Sequence, residues 1–215
     1  MDLIILSSLV PLMMRFNFFG IRLCVSFWAL LFVSYGIIFS GTGKHFILIC
    51  LISSFFHEIG HLFFIFKFSD SLSEIQIHPF EVRINCSLDK VTFKQDVLIT
   101  SSGILVNLLL ASVFCLLYYT FQNELCLEIS LCNLAIGAFN FLPIDSTDGG
   151  QLLSMILSLF LDYRIRSLLI TFVSCFIIIV LIFSGVYVLF ISRYNFSLLF
   201  IGIYFLIIFI NKELR

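Results

Sequence analysis

Long apolar runs alternate with short polar connections along the chain. Six of the runs are long enough to cross a bilayer as helices, which takes about 17–25 residues. They lie near residues 24–41, 45–66, 97–119, 125–142, 168–191 and 195–211. Runs this long and continuous favour helices over the alternating strands of a membrane barrel. The pattern therefore predicts an all-α polytopic fold with about six transmembrane helices.

One clearly polar stretch, residues 67–96, lies between the second and third apolar runs. Its segments 74–78 and 81–85 alternate apolar and polar residues, which predicts a small β-hairpin. Residues 15–24 could supply another strand or an interfacial segment. Residues 151–161 are expected to form a short interfacial helix.

The composition agrees with a membrane protein. Hydrophobic residues make up 61% of the 215 residues and charged residues 12%, whereas soluble domains average about 25% charged residues. A water-facing surface cannot be built from so few charges, so we expect an integral membrane protein surrounded by lipid. The formal net charge of −1 excludes nucleic-acid binding driven by bulk electrostatics.

The distribution of lysine and arginine predicts the orientation in the membrane. If the N-terminus lies in the cytoplasm, the opposite side receives Lys44 and Arg193, and the cytoplasmic side receives the other ten of the 12 basic residues. Cytoplasmic connections carry the excess of basic residues in membrane proteins. We therefore expect both termini in the cytoplasm.

The second apolar run contains His57, Glu58 and His61 in the order H-E-x-x-H. Histidines at i and i+4 lie one helical turn apart on one side, so both imidazoles can reach one zinc ion. Glu58 can reach the open position of the metal without occupying it. Ionisable groups inside an apolar span are costly and indicate function. Counted back from Lys67, His61 and His57 lie about 9 Å and 15 Å below the cytoplasmic edge, which requires a polar cavity open to the cytoplasm.

Two histidines make an incomplete catalytic zinc site, which normally has three protein ligands and a water molecule. A second informative segment, residues 140–150, reads Asn-Phe-Leu-Pro-Ile-Asp-Ser-Thr-Asp-Gly-Gly. Pro143 is expected to break the fourth span, and the pair of glycines lets the backbone turn close to a neighbour. Asp148 could complete the site, and Asp145 is a rival ligand on spacing alone.

Together these motifs resemble the site-2 protease family of intramembrane zinc metalloproteases, in its compact form without a PDZ domain. Members carry H-E-x-G-H on one core span and N-x-x-P-x-x-x-L-D-G-G on a later one. Residues 57–61 and 140–150 are similar to both, in the same order. Between them, Ser102–Asn107 resembles the family's G-P-x-x-N. The resemblance covers about residues 16–160.

The resemblance implies a zinc cofactor and a role for each matching residue. The implied zinc ligands are His57, His61 and Asp148. Glu58 would be the general base, and Asn140 would help to hold the unwound substrate backbone. Asn107 is a candidate for a polar role in the core.

The sequence departs from the family pattern at three positions. Ile104 replaces the usual proline, Thr147 replaces the usual leucine before D-G-G, and Asp145 adds an acid. None of these changes removes an implied ligand, so we expect them to affect fine tuning and substrate preference. Residues 77–80 look like the family's membrane-edge strand, and His78 is expected to be a surface histidine.

By resemblance, residues 1–215 form one metalloprotease domain with a three-helix catalytic core at about 45–160 and a helix pair at 168–211. It would hydrolyse peptide bonds of membrane-embedded or membrane-associated substrates in a bacterial cell membrane, using zinc-activated water and a glutamate base. The alternatives are a ZIP-like zinc transporter and a catalytically silent binder of membrane proteins. A transporter predicts a relay of acids and histidines across the bilayer, whereas only Glu124 and Glu128 are expected near the far face.

Overall fold

The computed structural model of the chain describes residues 13–18, 21–26, 45–68, 72–77, 82–86 and 91–213. This part of the chain contains four strands: β1 Met13–Phe18, β2 Ile21–Ser26, β3 Leu72–Ile77 and β4 Val82–Cys86. It also contains six helices: α1 Phe46–Phe68, α2 Phe93–Phe121, α3 Glu124–Phe141, α4 Asp148–Leu157, α5 Tyr163–Ser192 and α6 Ser197–Glu213. The chain divides into two compact units, residues 1–134 and 135–215, with the boundary inside α3. The single domain expected from the sequence stays a prediction.

The four strands of the first unit form one sheet in the order β1-β2-β3-β4. β1 pairs antiparallel with β2, β2 pairs parallel with β3, and β3 pairs antiparallel with β4. The sequence predicts one small β-hairpin beside the helices, whereas the described sheet has four strands and also takes up residues 13–18 and 21–26. A position of this sheet at the membrane edge stays a prediction, and His78 lies outside the described residues.

Four of the described helices are long and apolar enough to cross a membrane, namely α1, α2, α3 and α5. They correspond to four of the six predicted spans. α6 is apolar but shorter, with 17 residues. The first predicted span, 24–41, lies outside the described residues except for 24–26, which belong to β2. The helices indicate an integral membrane protein, and the count of six spans stays a prediction.

α1 and α2 of the first unit approach each other closely at two glycines. A Cβ atom on Gly60 would lie 2.9 Å from the carbonyl oxygen of Ser102. A Cβ atom on Gly103 would lie 2.7 Å from the ring of His57. Small residues allow this approach, which is the usual way in which helices associate inside a membrane. The two glycines thus bring the H-E-x-x-H motif of α1 against α2.

α5 and α6 of the second unit are also packed through a small residue. A Cβ atom on Gly185 of α5 would lie 2.5 Å from the backbone nitrogen of Leu199 in α6. Three buried side chains form a small core in this unit: Ile144, Ile178 and Phe205. This core holds the connection between α3 and α4 against the last two helices of the chain.

Several polar side chains are buried and many aromatic side chains are exposed in the described helices. Asn107 and Ser174 are 0% exposed, whereas Phe172 and Phe183 are each 71% exposed. Exposing so many apolar rings would destabilise a folded protein in water, but it does not destabilise one that is surrounded by lipid. The burial pattern therefore agrees with helices that face lipid.

Candidate metal centre

α1 carries the two histidines of the H-E-x-x-H motif on one face. The Nε2 atoms of His57 and His61 lie 3.2 Å apart. His57 is buried, and both His61 and Glu58 are half-buried. The spacing of one helical turn thus directs both Nε2 atoms to one place.

The Nδ1 atom of each histidine lies within hydrogen-bond distance of an oxygen atom. His61 Nδ1 lies 2.8 Å from the carbonyl oxygen of Ile99, and His57 Nδ1 lies 2.5 Å from Asn107 Oδ1. These oxygens can only accept a hydrogen bond, so each Nδ1 carries a proton and donates it. In a neutral imidazole the lone pair then lies on Nε2. Two lone pairs at this separation suit a cation placed between them.

The separation and the hydrogen bonds of the two histidines fit zinc. Zn–N bonds of about 2.0–2.1 Å in a tetrahedral site place two ligand nitrogens about 3.3–3.4 Å apart, and the two Nε2 atoms lie 3.2 Å apart. Histidines that bind metals almost always donate their other N–H to an oxygen acceptor. Both histidines have this arrangement.

Gly103 of α2 leaves the space into which the two imidazoles project. A Cβ atom at this position would lie 2.7 Å from His57 Nε2 and even closer to His61 Nε2. Any side chain at residue 103 would therefore displace the two candidate ligand atoms. The position needs glycine because of this close approach, not because of its backbone conformation.

A hydrogen-bonded chain of buried polar side chains leads to His57 Nδ1 through Asn107. Asn107 Nδ2 donates to Asn133 Oδ1 at 2.9 Å, and Asn133 Nδ2 donates to Ser53 Oγ at 2.9 Å. All three side chains are buried. A polar role in the core is predicted from the sequence for Asn107, but not for Asn133 or Ser53. An asparagine within the apolar run 125–142 was the available signal, because an unpaired amide inside a membrane is costly.

Asp148 is the first residue of α4 in the second unit. α3 ends at Phe141, two residues before Pro143, because proline cannot continue a helix and restricts the residue before it. Thr147 is the N-cap of α4, and its hydroxyl accepts a hydrogen bond from the Gly150 N–H at 3.3 Å. The helix dipole favours a carboxylate in this first turn.

The two glycines after Asp148 lie inside a helix, not in the turn that the sequence predicts. Both are buried, and a Cβ atom on Gly150 would overlap the carbonyl oxygen of Ile144. Close approach to a neighbour is the reason for glycine, as expected. The helix begins three residues before the predicted start at Gln151, because the Thr147 cap satisfies an N–H of the first turn.

Asp145, the rival ligand on spacing, is engaged with a lysine. Its carboxylate lies 2.5 Å from Lys212 Nζ of α6, and its backbone N–H donates to Ser174 Oγ at 2.9 Å. An ammonium group neutralises the carboxylate and occupies part of its acceptor capacity. This contact makes Asp145 a poorer metal ligand than spacing alone suggests.

No protein-family model matches the chain, whereas a known relative and a solved structure are similar to it. The sequence is 27% identical over 137 residues to a zinc metalloprotease of Methanocaldococcus jannaschii. That match covers 61% of this chain and 35% of the relative, so the chain matches about a third of the relative's length. A solved site-2 protease from Methanocaldococcus jannaschii has a TM-score of 0.62 and 21% identity, over 90% of this chain and 91% of that one. The chain has the site-2 protease fold. The resemblance predicted from the motifs is confirmed.

Within this site-2 protease fold, two of the predicted site residues lie against His57. His57 contacts both His61 and Asn107 in the first unit. Asn140 belongs to the second unit, where it is half-buried and its Nδ2 donates to the Ile136 carbonyl oxygen of its own helix at 3.1 Å. The roles of these residues stay predictions.

Proposed function

We propose that the chain is an intramembrane zinc metalloprotease that hydrolyses peptide bonds of membrane-embedded or membrane-associated substrates. The observation that carries the proposal is the pair of imidazoles on α1. Their Nε2 atoms lie 3.2 Å apart, and each Nδ1 is held by an oxygen acceptor. The pair lies on a helix that is apolar enough to cross a membrane, and a glutamate follows the first histidine. The zinc metalloprotease of Methanocaldococcus jannaschii and the site-2 protease fold support the same reaction class.

The proposed zinc ligands are two imidazoles of α1 and one carboxylate at the start of α4: His57, His61 and Asp148. Each of the three side chains offers one ligand atom. Two nitrogens and one carboxylate oxygen form a donor set that occurs in zinc proteases, where the fourth position stays open for water. A donor set of two neutral imidazoles and one carboxylate leaves a net positive charge on the centre, which suits Lewis-acid chemistry.

Zinc, when bound, polarises the scissile carbonyl group and lowers the pKa of a water molecule towards about 7. The proposed role of Glu58 is to take a proton from the attacking water and to deliver it to the leaving nitrogen. The hydrogen bonds of Ile99 and Asn107 keep the two histidines in the form that has Nε2 available. Asn140 is proposed to bind the backbone of the substrate.

The substrate must unwind before it can be cleaved, because a helix hides its carbonyl groups in i to i+4 hydrogen bonds. The sheet of the first unit suits an extended segment. β4 lies at the end of the strand order β1-β2-β3-β4, and an edge strand can pair with an added strand through its backbone. We propose that an unwound substrate segment binds in this way.

The transporter alternative has less support. It requires buried ionisable groups that relay an ion across the bilayer. Glu124 and Glu128 are both exposed at the start of α3, so they do not suit a buried pathway. A catalytically silent binder would differ at a ligand or at the base, and His57, Glu58 and His61 are all present.

The test compares four purified proteins in detergent: wild type, Glu58→Gln, Asp148→Asn and the control Asp145→Asn. Bound zinc is measured per chain, and cleavage is measured on dye-labelled single-span peptides reconstituted with the enzyme in vesicles. We expect about one zinc per chain in wild type and Glu58→Gln, with cleavage by Glu58→Gln reduced on the order of 10²- to 10⁴-fold. Asp148→Asn should bind zinc more weakly, whereas Asp145→Asn should keep it.

The control has the same chemical change in the same segment, but at a carboxylate that contacts Lys212. Loss of zinc in Glu58→Gln together with its retention in Asp148→Asn would make Glu58 a ligand and overturn the protease assignment. Zinc uptake by vesicles that contain the wild type, without peptide cleavage, would favour the transporter.

A further inference from the structure

A continuous path of buried side chains leads from α3 to the ring of His57. It runs through Asn133 of α3 and Asn107 of α2, with Ser53 of α1 at its side, and the exposed fractions of these three residues are 1%, 0% and 3%. The ring of His61 does not depend on a side-chain amide, because the backbone carbonyl oxygen of Ile99 accepts the hydrogen bond of His61 Nδ1 directly. The ring of His57 depends instead on a side-chain amide, and an amide can present either its oxygen or its nitrogen.

The orientation of the two amides follows from backbone carbonyl groups, which can only accept. Asn133 Nδ2 lies 2.9 Å from the carbonyl oxygen of Ile129, so this end of the amide is its NH₂ group. The oxygen of Asn133 therefore faces Asn107, at 2.9 Å from Asn107 Nδ2. A second carbonyl oxygen, that of Ser53, lies 3.4 Å from the same Nδ2 and favours the same orientation.

The orientation of Asn107 in turn determines which nitrogen of His57 carries the proton. With its NH₂ group directed at Asn133, Asn107 can offer only its oxygen to the ring, at 2.5 Å from His57 Nδ1. An oxygen acceptor requires a proton on Nδ1, so the lone pair of the neutral ring lies on Nε2. Reversing either amide would put an NH₂ group against Nδ1 and move the ring proton to Nε2, the atom proposed to bind the metal.

We infer that Asn133 and Ser53 are positioning residues that set the tautomer of His57 through Asn107. The inference rests on the proposed function, because it concerns a ligand of the proposed zinc site. Asn133 fixes the orientation of Asn107, and Ser53 accepts from Asn133 Nδ2 through its hydroxyl and from Asn107 Nδ2 through its carbonyl oxygen.

The experiment compares Asn133→Leu with the matched control Ser130→Ala in the full-length protein. Ser130 lies on the same helix one turn earlier, is also buried, and its hydroxyl donates to the Ala111 carbonyl oxygen at 2.7 Å. Each variant thus removes a buried hydrogen bond between α2 and α3, but only Asn133→Leu breaks the path to His57. Zinc affinity is measured by competition with a chelator, the coordination geometry by the absorption spectrum of the cobalt-substituted protein, and folding by thermal unfolding.

We expect both variants to unfold at lower temperature, and Asn133→Leu alone to bind zinc about tenfold more weakly or worse, as for other outer-sphere changes. Its cobalt spectrum should also differ from that of wild type. Ser130→Ala should match wild type in both metal measurements. Equal zinc affinities and equal cobalt spectra for the two variants would overturn the inference while leaving the protease proposal intact. A wild-type protein that binds no zinc would overturn both.

Nuclear magnetic resonance of the zinc-loaded wild type tests the same inference if Asn133→Leu does not fold. With ¹⁵N-labelled histidine, the inference predicts that His57 carries its proton on Nδ1 and binds the metal through Nε2. A ring with Nδ1 bound to zinc and the proton on Nε2 would contradict it. The variant His57→Ala assigns the signal.

Discussion

Gly103 is a residue at which the two histidine rings leave no room for a side chain. Its missing Cβ atom would lie within van der Waals overlap of both histidine rings, and it follows Ser102, whose hydroxyl donates to the Ile99 carbonyl oxygen at 2.5 Å. The same carbonyl oxygen accepts from His61. Residues 99–103 of α2 therefore have two effects. The Ile99 carbonyl oxygen accepts the hydrogen bond of His61 Nδ1, and Gly103 leaves space for the proposed ligand atoms.

We predict that Gly103→Ala binds zinc at least about tenfold more weakly than wild type, because the added methyl group displaces both Nε2 atoms. Overpacking should also lower the free energy of unfolding by about 1–3 kcal/mol, while alanine favours the helix itself. Zinc competition and thermal unfolding in detergent measure the two effects.

Gly185→Ala is the matched control for this prediction. Its Cβ atom would meet the backbone of Leu199 at 2.5 Å in the second unit, so it overpacks a helix contact that has no histidine. It should lose stability and keep its zinc. If Gly103→Ala bound zinc as tightly as this control, the proposed ligand position of the two Nε2 atoms would be wrong.

At the scale of elements, the break between α3 and α4 decides where the acidic residues of the segment lie. Pro143 ends one helix and Thr147 begins the next. The Thr147 hydroxyl lies 2.5 Å from the Leu142 carbonyl oxygen and 2.8 Å from that of Ile144. This hydroxyl thus ties the start of α4 to the connection before it, and Asp148 follows directly.

We predict that Thr147→Val lowers the free energy of unfolding by about 1–3 kcal/mol, because the buried N–H of Gly150 loses the hydroxyl that accepts its hydrogen bond, at nearly constant side-chain volume. Zinc affinity should also fall, since Asp148 is the next residue. Thr147→Ser keeps the hydroxyl and should stay close to wild type in thermal unfolding and in zinc competition. Equal behaviour of the two variants would mean that the cap does not position Asp148.

The whole molecule combines polar side chains in its interior with large apolar side chains on the surface of its helices. Such an arrangement requires lipid around the helices and water at their ends. The basic residues predict which end faces the cytoplasm, because the predicted topology puts ten of the 12 on one side and Lys44 and Arg193 on the other. The proposed orientation puts both termini and the opening of the active site in the cytoplasm.

We predict that a reporter fused after Arg215 lies in the cytoplasm when the protein is expressed in bacteria. A green fluorescent protein at this position should fluoresce, and alkaline phosphatase at the same position should be inactive, because it needs an oxidising compartment. An alkaline phosphatase fused after Arg193 should be active and serves as the control. The reverse pattern would invert the orientation and the side from which water reaches the site.

The sequence by itself determined the features that depend on neighbours along the chain. Apolar runs of sufficient length mark α1, α2, α3 and α5, since the bilayer sets the length of a span. The i, i+4 spacing puts His57 and His61 on one face, because helical periodicity is local. Pro143 marks the end of α3 for the same reason.

Only the tertiary structure decided which distant residues meet. Ser53 and Asn133 are 80 positions apart and share a hydrogen bond, and Asp145 contacts Lys212 from another helix. No periodicity along the chain encodes such pairs, because they depend on which helix faces pack together. The sheet order and the role of Gly103 belong to the same class. The sequence therefore specified the candidate ligands on α1, whereas the fold specified the side chains that orient them and the space that they occupy.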